Sequence, residues 1–277
     1  MPTALGLIAL LLASVWFSPW WFLGLVCLAL LLALRELTTA LAQAGFNVPY
    51  LPLAVGAVAT QLAAAISGPN GMVVGVFVTL AAAAAWRAAE FDFKPQPPDA
   101  AASPGLRPLR SATQDIYASA LATLYLPTLA ALIVLLAFLE EGRWLVLLLV
   151  AIPVASDTGG YFAGSYLGRR KLAPQVSPKK TWEGLGGSLL LAAIAGVGGM
   201  VLMSRPWYYG LALGVLGALS ATLGDLAESM IKRAIGIKDM GSLLPGHGGV
   251  LDRVDSILMT APLAYAVITL AGPGVFA

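Results

Sequence analysis

The chain has 277 residues, 59% of them hydrophobic and only 11% charged. A soluble domain carries about 25% charged residues to hydrate its surface, so this composition excludes an ordinary water-soluble globule, whereas lipid-facing helices need no such charge. A net charge of +2 with no arginine-rich arm argues against nucleic-acid binding, and the single cysteine, Cys27, excludes an intrachain disulfide or a cysteine-based metal site.

In chain order, apolar runs long enough to cross a bilayer are expected near residues 3–17, 20–34, 51–67, 71–87, 118–139, 144–162, 182–203, 207–230 and 254–272. The expected fold class is therefore all-α, a polytopic transmembrane helical bundle of about nine spans. The first two runs are short and separated only by Ser18-Pro19, so they form a tight hairpin or sit partly in the interface. Met1-Pro2-Thr3 has no basic character, and no cleavage site follows, so no removable signal peptide is expected. Cys27, within an apolar run, reads as a packing residue.

With nine spans, the segments after the even-numbered ones share a face. They hold Arg35, Arg87, Lys94, Arg107, Arg110, Arg169, Arg170, Lys171, Lys179, Lys180, Lys232, Arg233, Lys238 and Arg253, 14 of the 16 basic residues. Only Arg143 and Arg205 fall opposite. Basic residues concentrate on the cytoplasmic side of membrane proteins, which places these loops and the N-terminus in the cytoplasm and the C-terminus outside. Trp16, Trp20, Trp21, Trp144, Trp182 and Trp207 lie at or near span ends, where indoles favour the interface.

The chain divides into residues 1–150, whose spans carry few polar groups, and residues 151–277, which carry the unusual chemistry. The first part includes small-residue surface such as Ala81–Ala85, suited to close helix packing and self-association, and the Pro-rich stretch Lys94–Pro108, which reads as a flexible loop. No internal repeat is apparent.

Ionisable groups at membrane depth are expensive and point to function. Three clusters stand out on the basic face. The first is Ser156-Asp157-Thr158-Gly159-Gly160, leading through Arg169-Arg170-Lys171 to Ser177-Pro178-Lys179-Lys180-Thr181-Trp182-Glu183-Gly184. Here ammonium groups, hydroxyls and the amides of a helix start converge, as a phosphate site requires. Topology determination and anionic-lipid anchoring are the competing account for the basic residues. The second is Gly224-Asp225-Leu226-Ala227-Glu228-Ser229, followed by Lys232-Arg233. On a helix this forms one stripe of acid, hydroxyl and base, with a structural Glu228–Lys232 pair as the alternative. The third joins Lys238-Asp239 to Pro245-Gly246-His247-Gly248-Gly249 and then Asp252, Arg253 and Asp255. Asp252 and Asp255 fall at i, i+3, where they could bind Mg²⁺ with phosphate oxygens and water. A helix cap is the alternative for Asp252, and loop packing for His247. Carboxylates and cations on one face suit metal-dependent phosphoryl or nucleotidyl chemistry on a lipid-linked substrate.

The run from Ser229 through Lys238-Asp239 and Pro245-Gly246-His247-Gly248-Gly249 to Asp255 resembles the signature of the phosphatidate cytidylyltransferase family, with no departure at its fixed positions. Ser156–Phe162 and Val176–Gly184 also resemble the family pattern in order and spacing. The resemblance is close over about residues 150–260 and extends to the first half in hydropathy alone. It implies cytidylyl transfer from CTP to phosphatidic acid, giving CDP-diacylglycerol and pyrophosphate. The implied cofactor is Mg²⁺, with Mn²⁺ as a substitute and a monovalent cation as a further candidate. Asp225 and Asp252 are then the expected principal metal ligands, with Asp157 and Asp255 as further ligands or their supports. Lys232, Ser229 and His247 complete the expected catalytic set. Lys179, Lys180, Arg233, Ser177, Thr181, Lys238 and Arg253 are expected to bind the phosphates of substrate. The family also suggests self-association, for instance as a homodimer, in the cell membrane with the site facing the cytoplasm. The rival readings are a related enzyme using CTP on another lipid phosphate, a polyprenol kinase, and a cation-coupled transporter. The Asp-Gly-x-x-Ala-Arg run of CDP-alcohol phosphotransferases is absent.

Overall fold

The computed structural model describes residues 2–93, 112–241 and 248–271. Nine helices run through these residues: α1 (Pro2–Phe17), α2 (Pro19–Gln43), α3 (Tyr50–Phe93), α4 (Ala112–Tyr125), α5 (Pro127–Ala137), α6 (Gly142–Leu167), α7 (Trp182–Leu202), α8 (Trp207–Ile235) and α9 (Leu251–Leu270). Seven helical stretches among them are long and apolar enough to cross a membrane. The chain is thus an all-α polytopic membrane protein. Apart from turns and loops, the described residues also form a short antiparallel hairpin of β1 (Lys171–Ala173) and β2 (Ser177–Thr181), with Lys171 opposite Thr181 and Ala173 opposite Ser177. An all-helical expectation missed this hairpin because its polar, Pro-containing sequence has no strand alternation long enough to read.

Each expected span falls mainly on helix, but that at 118–139 is divided between α4 and α5 at Leu126 and runs past the end of α5, and those at 182–203 and 254–272 run past the ends of α7 and α9. The runs at 51–67 and 71–87 are both in α3, which folds back on itself at Gly68, where φ is +62° and Pro69 follows. Only glycine adopts such a backbone without strain. The two arms meet through small residues: Gly75 packs on Thr60, Gly56 packs on Thr79, and the Thr60 and Thr79 hydroxyls are 3.3 Å apart. At 16 residues, α1 extends about 24 Å, short of a hydrocarbon core of about 30 Å. The six tryptophans expected at the interface are all exposed, at 47–71% of their surface, as a belt requires.

The chain forms two compact units that are not consecutive halves. One comprises residues 1–22, 132–238 and 253–277, the other 23–131 and 239–252, with boundaries inside α2, α5 and α9. The division at residue 150 read from sequence concerns where the chemistry lies, a separate matter from compactness.

In the first unit, α6, α7 and α8 pack in antiparallel succession through glycines. A Cβ on Gly159 of α6 would fall on the Gly187 carbonyl of α7, and one on Gly196 of α7 on the Gly210 carbonyl of α8. Backbones in such contact gain dispersion that bulky side chains would prevent. Ser188 donates to the Ser156 carbonyl at 2.7 Å, and Ser220 to that of Met259, tying α6 to α7 and α8 to α9. Helix α8 stops at Gly236, whose φ of +82° lets its amide and that of Ile237 return to the Lys232 carbonyl.

In the second unit, fully buried Gln61 donates to the Pro127 carbonyl at 2.8 Å, linking α3 to the start of α5. Asp115, 1% exposed, accepts from Arg87 Nε at 2.9 Å, from Arg87 Nη2, and from the Asn47 amide at 2.8 Å. The first half therefore carries more buried polar structure than its hydropathy suggests, because each such group meets a partner from a distant segment.

Candidate active site

The hairpin places the lysine pair. The Trp182 amide donates to the Arg170 carbonyl at 3.0 Å. Glu183 Oε2 accepts from the amides of Arg169 at 3.0 Å and Arg170 at 3.2 Å. Thr181 caps α7 by accepting from the Gly184 amide at 3.0 Å, which uses a lone pair of its hydroxyl oxygen and not its O–H proton. With both ends fixed, β2 presents Lys179 and Lys180 to a cavity of about 340 Å³ lined also by Asp157, Gly160 and Tyr161 of α6, Thr181, and Thr222 of α8. Gly160, Gly164 and Gly184 keep the wall between α6 and α7 thin, leaving room that side chains would fill.

Lys180 forms an ion pair with Asp225 of α8. Asp157 lies within electrostatic reach of Lys180, Asp225 and Asp255 of α9. One turn beyond Asp225, Glu228 is 1% exposed and pairs with Lys232 at 3.3 Å. Asp255 of α9, itself 5% exposed, lies within electrostatic reach of Glu228. The first unit thus gathers Asp157, Asp225, Glu228 and Asp255 with Lys180 and Lys232. Four carboxyl groups against two ammonium groups leave an excess of acid.

Among the described residues, no three Asp, Glu, His or Cys side chains already converge closely enough to hold a metal ion. The donor set nonetheless fits a hard divalent cation. Mg²⁺ is commonly held by one or two carboxylates, with water and substrate phosphates completing its shell, and this cluster supplies carboxylates in excess of its cations.

The second unit holds the segment that begins α9. Asp252 Oδ2 accepts from the Met240 amide at 3.0 Å and the Gly249 amide at 2.9 Å, closing the chain around Gly248, whose φ is +78°. Asp252 is therefore an acid in the first turn of α9 whose carboxylate holds the preceding loop. Glu36 of α2, 5% exposed, accepts from the amides of Val250 at 3.0 Å and Leu251 at 2.9 Å.

Ser229 is half-buried on α8, Ser177 half-buried at the start of β2, and Lys179, Arg233, Lys238 and Arg253 are exposed. His247 and the Lys94–Pro108 stretch lie outside the described residues. Sequence reasoning missed Glu36, and it weighed Glu228 both as part of the acid–hydroxyl–base stripe and as a structural partner of Lys232, the pair found here. A carboxylate inside an apolar run is itself the signal that would have found Glu36.

The chain matches the cytidylyltransferase family over residues 1–271 and belongs to that family. The phosphatidate cytidylyltransferase of Mycobacterium bovis is 36% identical to it, with the alignment covering 96% of this chain and 86% of the relative. That of Mycobacterium leprae is 35% identical over 94% of this chain and 83% of its own length. The Synechocystis phosphatidate cytidylyltransferase reaches 46% identity over 48% of this chain and 45% of its own.

Proposed function

We propose that this chain transfers the cytidylyl group of CTP to phosphatidate, releasing pyrophosphate and forming CDP-diacylglycerol for phospholipid synthesis. The observation that carries this reading is the cavity on which Lys179, Lys180 and Asp157 converge, in a member of the cytidylyltransferase family. An oxygen of the lipid phosphate monoester attacks the α-phosphorus of CTP. The bond from that phosphorus to the bridging oxygen breaks, and the electron pair leaves with pyrophosphate. Phosphatidate is already anionic at neutral pH, so the main obstacle is charge repulsion between two anions rather than proton removal.

The chain's own residues address that obstacle. Lys179 and Lys180 neutralise phosphate oxygens at the cavity wall, and Lys232, Arg233, Lys238 and Arg253 supply further positive charge. Asp225 and Asp252 are the proposed principal ligands of Mg²⁺, with Asp157 and Asp255 as further ligands or supports. When bound, Mg²⁺ would neutralise polyphosphate charge and polarise the α-phosphoryl group. The ion pair with Lys180 would then hold Asp225 in place until nucleotide arrives and competes for the lysine. Ser229 donates to a phosphate oxygen, and His247 to the departing pyrophosphate. Because CTP is cytosolic and the lipid phosphate lies at the leaflet surface, the cavity opens to the cytoplasm of the cell membrane in a nine-span arrangement. The small residues of the first half suit a homodimer.

The test is pyrophosphate release by purified protein in detergent, with phosphatidate and Mg²⁺ omitted in turn. Release requiring both, with CDP-diacylglycerol in equal amount, supports the reading. Release with another lipid phosphate alone would redirect the substrate, and near-normal Mg²⁺-dependent turnover in both Asp225→Asn and Asp252→Asn would remove their assigned role.

A further inference from the structure

We infer that Glu36, in α2 and far in sequence from the signature, is a positioning residue for cytidylyl transfer, acting by holding the start of α9. The inference rests on the proposed function, since it acts through Asp252. Both carboxylate oxygens of Glu36 are committed to one short segment, Oε1 accepting from the Val250 amide at 3.0 Å and Oε2 from the Leu251 amide at 2.9 Å. These amides have no partner within the helix they begin, and the carboxylate stabilises the positive end of the helix dipole. Among the described residues no Lys or Arg pairs with Glu36. A carboxylate only 5% exposed is thus held by backbone amides, an arrangement that fixes geometry and would be costly to retain as mere filler.

The surrounding chain is shaped to admit it. A Cβ on Gly241 would lie 2.5 Å from the Glu36 carboxyl carbon, and one on Gly249 would lie 2.8 Å from it. The flanking segment is completed by Asp252, whose Oδ2 binds the Met240 and Gly249 amides. Glu36 and Asp252 therefore hold the same turn from opposite ends of the sequence. Moving Glu36 would release the first turn of α9, and with it the direction in which Asp252 points.

Two variants test this. Glu36→Gln places an amide N–H₂ where one of two amide donors needs an acceptor. Gly249→Ala retains the carboxylate but pushes this flexible side-chain end off its amides. Hydrogen exchange at Val250 and Leu251 should rise about tenfold or more in either variant. The kcat for pyrophosphate release should fall about 10- to 100-fold, as expected for a misplaced reacting group, with KM for phosphatidate changed by less than about threefold. In an Asp252→Asn background, Glu36→Gln should cost less than about threefold more, because both changes act through one turn. Unaltered exchange, unaltered turnover, a full multiplicative loss on Asp252→Asn, or an activity loss matched only by loss of folded protein would each overturn the assignment. Should Glu36→Gln not yield folded protein, Gly249→Ala carries the same comparisons. Absence of turnover in the wild type would instead strike the proposed function, while amide exchange would still report on the hold of Glu36 over α9.

Discussion

Two ion pairs in this chain look alike and predict different behaviour. Arg87 and Asp115 are 11% and 1% exposed, and the Asp115 carboxylate also binds the Asn47 amide. Neither residue is among those lining the candidate cavity, so Arg87→Met should act on stability alone. Removing one partner of a buried pair leaves an uncompensated charge, at a cost of about 3 kcal/mol. Thermal unfolding in detergent should show that loss, with turnover per folded molecule unchanged. Lys180 and Asp225 are 26% and 37% exposed, within the proposed machinery. Partial exposure leaves their mutual attraction screened, so Lys180→Met should change the melting temperature little. It should lower kcat/KM for CTP by about 100-fold, the order expected when a phosphate-neutralising charge is removed. Steady-state kinetics beside melting curves separate the two cases, and a large melting shift with normal kinetics would make Lys180 structural.

At the scale of the element, the glycines of α7 provide an internal comparison. A Cβ on Gly187 would strike the Ala163 side chain and the Gly159 carbonyl of α6, whereas one on Gly186 or Gly198 would meet nothing within 4 Å. Gly187→Ala must therefore force α6 and α7 apart and should cost about 1–3 kcal/mol, opening the cavity wall and lowering activity. Gly186→Ala and Gly198→Ala should leave stability unchanged or raise it by up to about 1 kcal/mol. Unfolding temperatures of the three variants check the pattern directly. The comparison also shows what a sequence can reveal of an element. The existence of α7 was legible from its apolar run and from Thr181 before Trp182, which together mark a helix start. Which glycine touches a neighbour was not, since Gly186 and Gly187 are adjacent and differ only in the direction their Cα atoms face. The hairpin in α3 was legible as two runs separated by Gly68-Pro69, though the pairing of Thr60 with Gly75 was not. In the site, Asp157, Asp225, Lys180 and Asp255 were legible because charge is rare in an apolar chain. Glu36 escaped because its partners lie 214 and 215 positions away, at Val250 and Leu251. Backbone amides carry no mark in the sequence of what they bind.

At the scale of the whole molecule, α6 is the element that ties chemistry to a side of the membrane. It has 26 residues, about 39 Å of helix against a hydrocarbon core of about 30 Å. Arg143 near its start is exposed and stacks over Trp16 at 5.5 Å, beside Trp144. Arg169, Arg170 and Lys171 follow its end and lead into the hairpin that carries Lys179 and Lys180. The two ends of one continuous span must lie on opposite faces, so the side of the cavity's lysines can be read independently of how many other helices cross. With Cys27→Ala as background, Arg143→Cys and Lys171→Cys each provide a single thiol at one exposed end of α6. A membrane-impermeant maleimide added to intact cells should label the cysteine at 143 and leave that at 171 unmodified, with the reverse in inside-out vesicles. CTP must be offered from the cytosol, so this pattern would place the proposed reaction where its nucleotide is found. The opposite labelling would put the lysines on the wrong face for CTP, against both the charge distribution and the proposed transfer. Labelling of both residues from one side would mean that α6 does not cross, and the cavity would then have to be reached along the membrane surface.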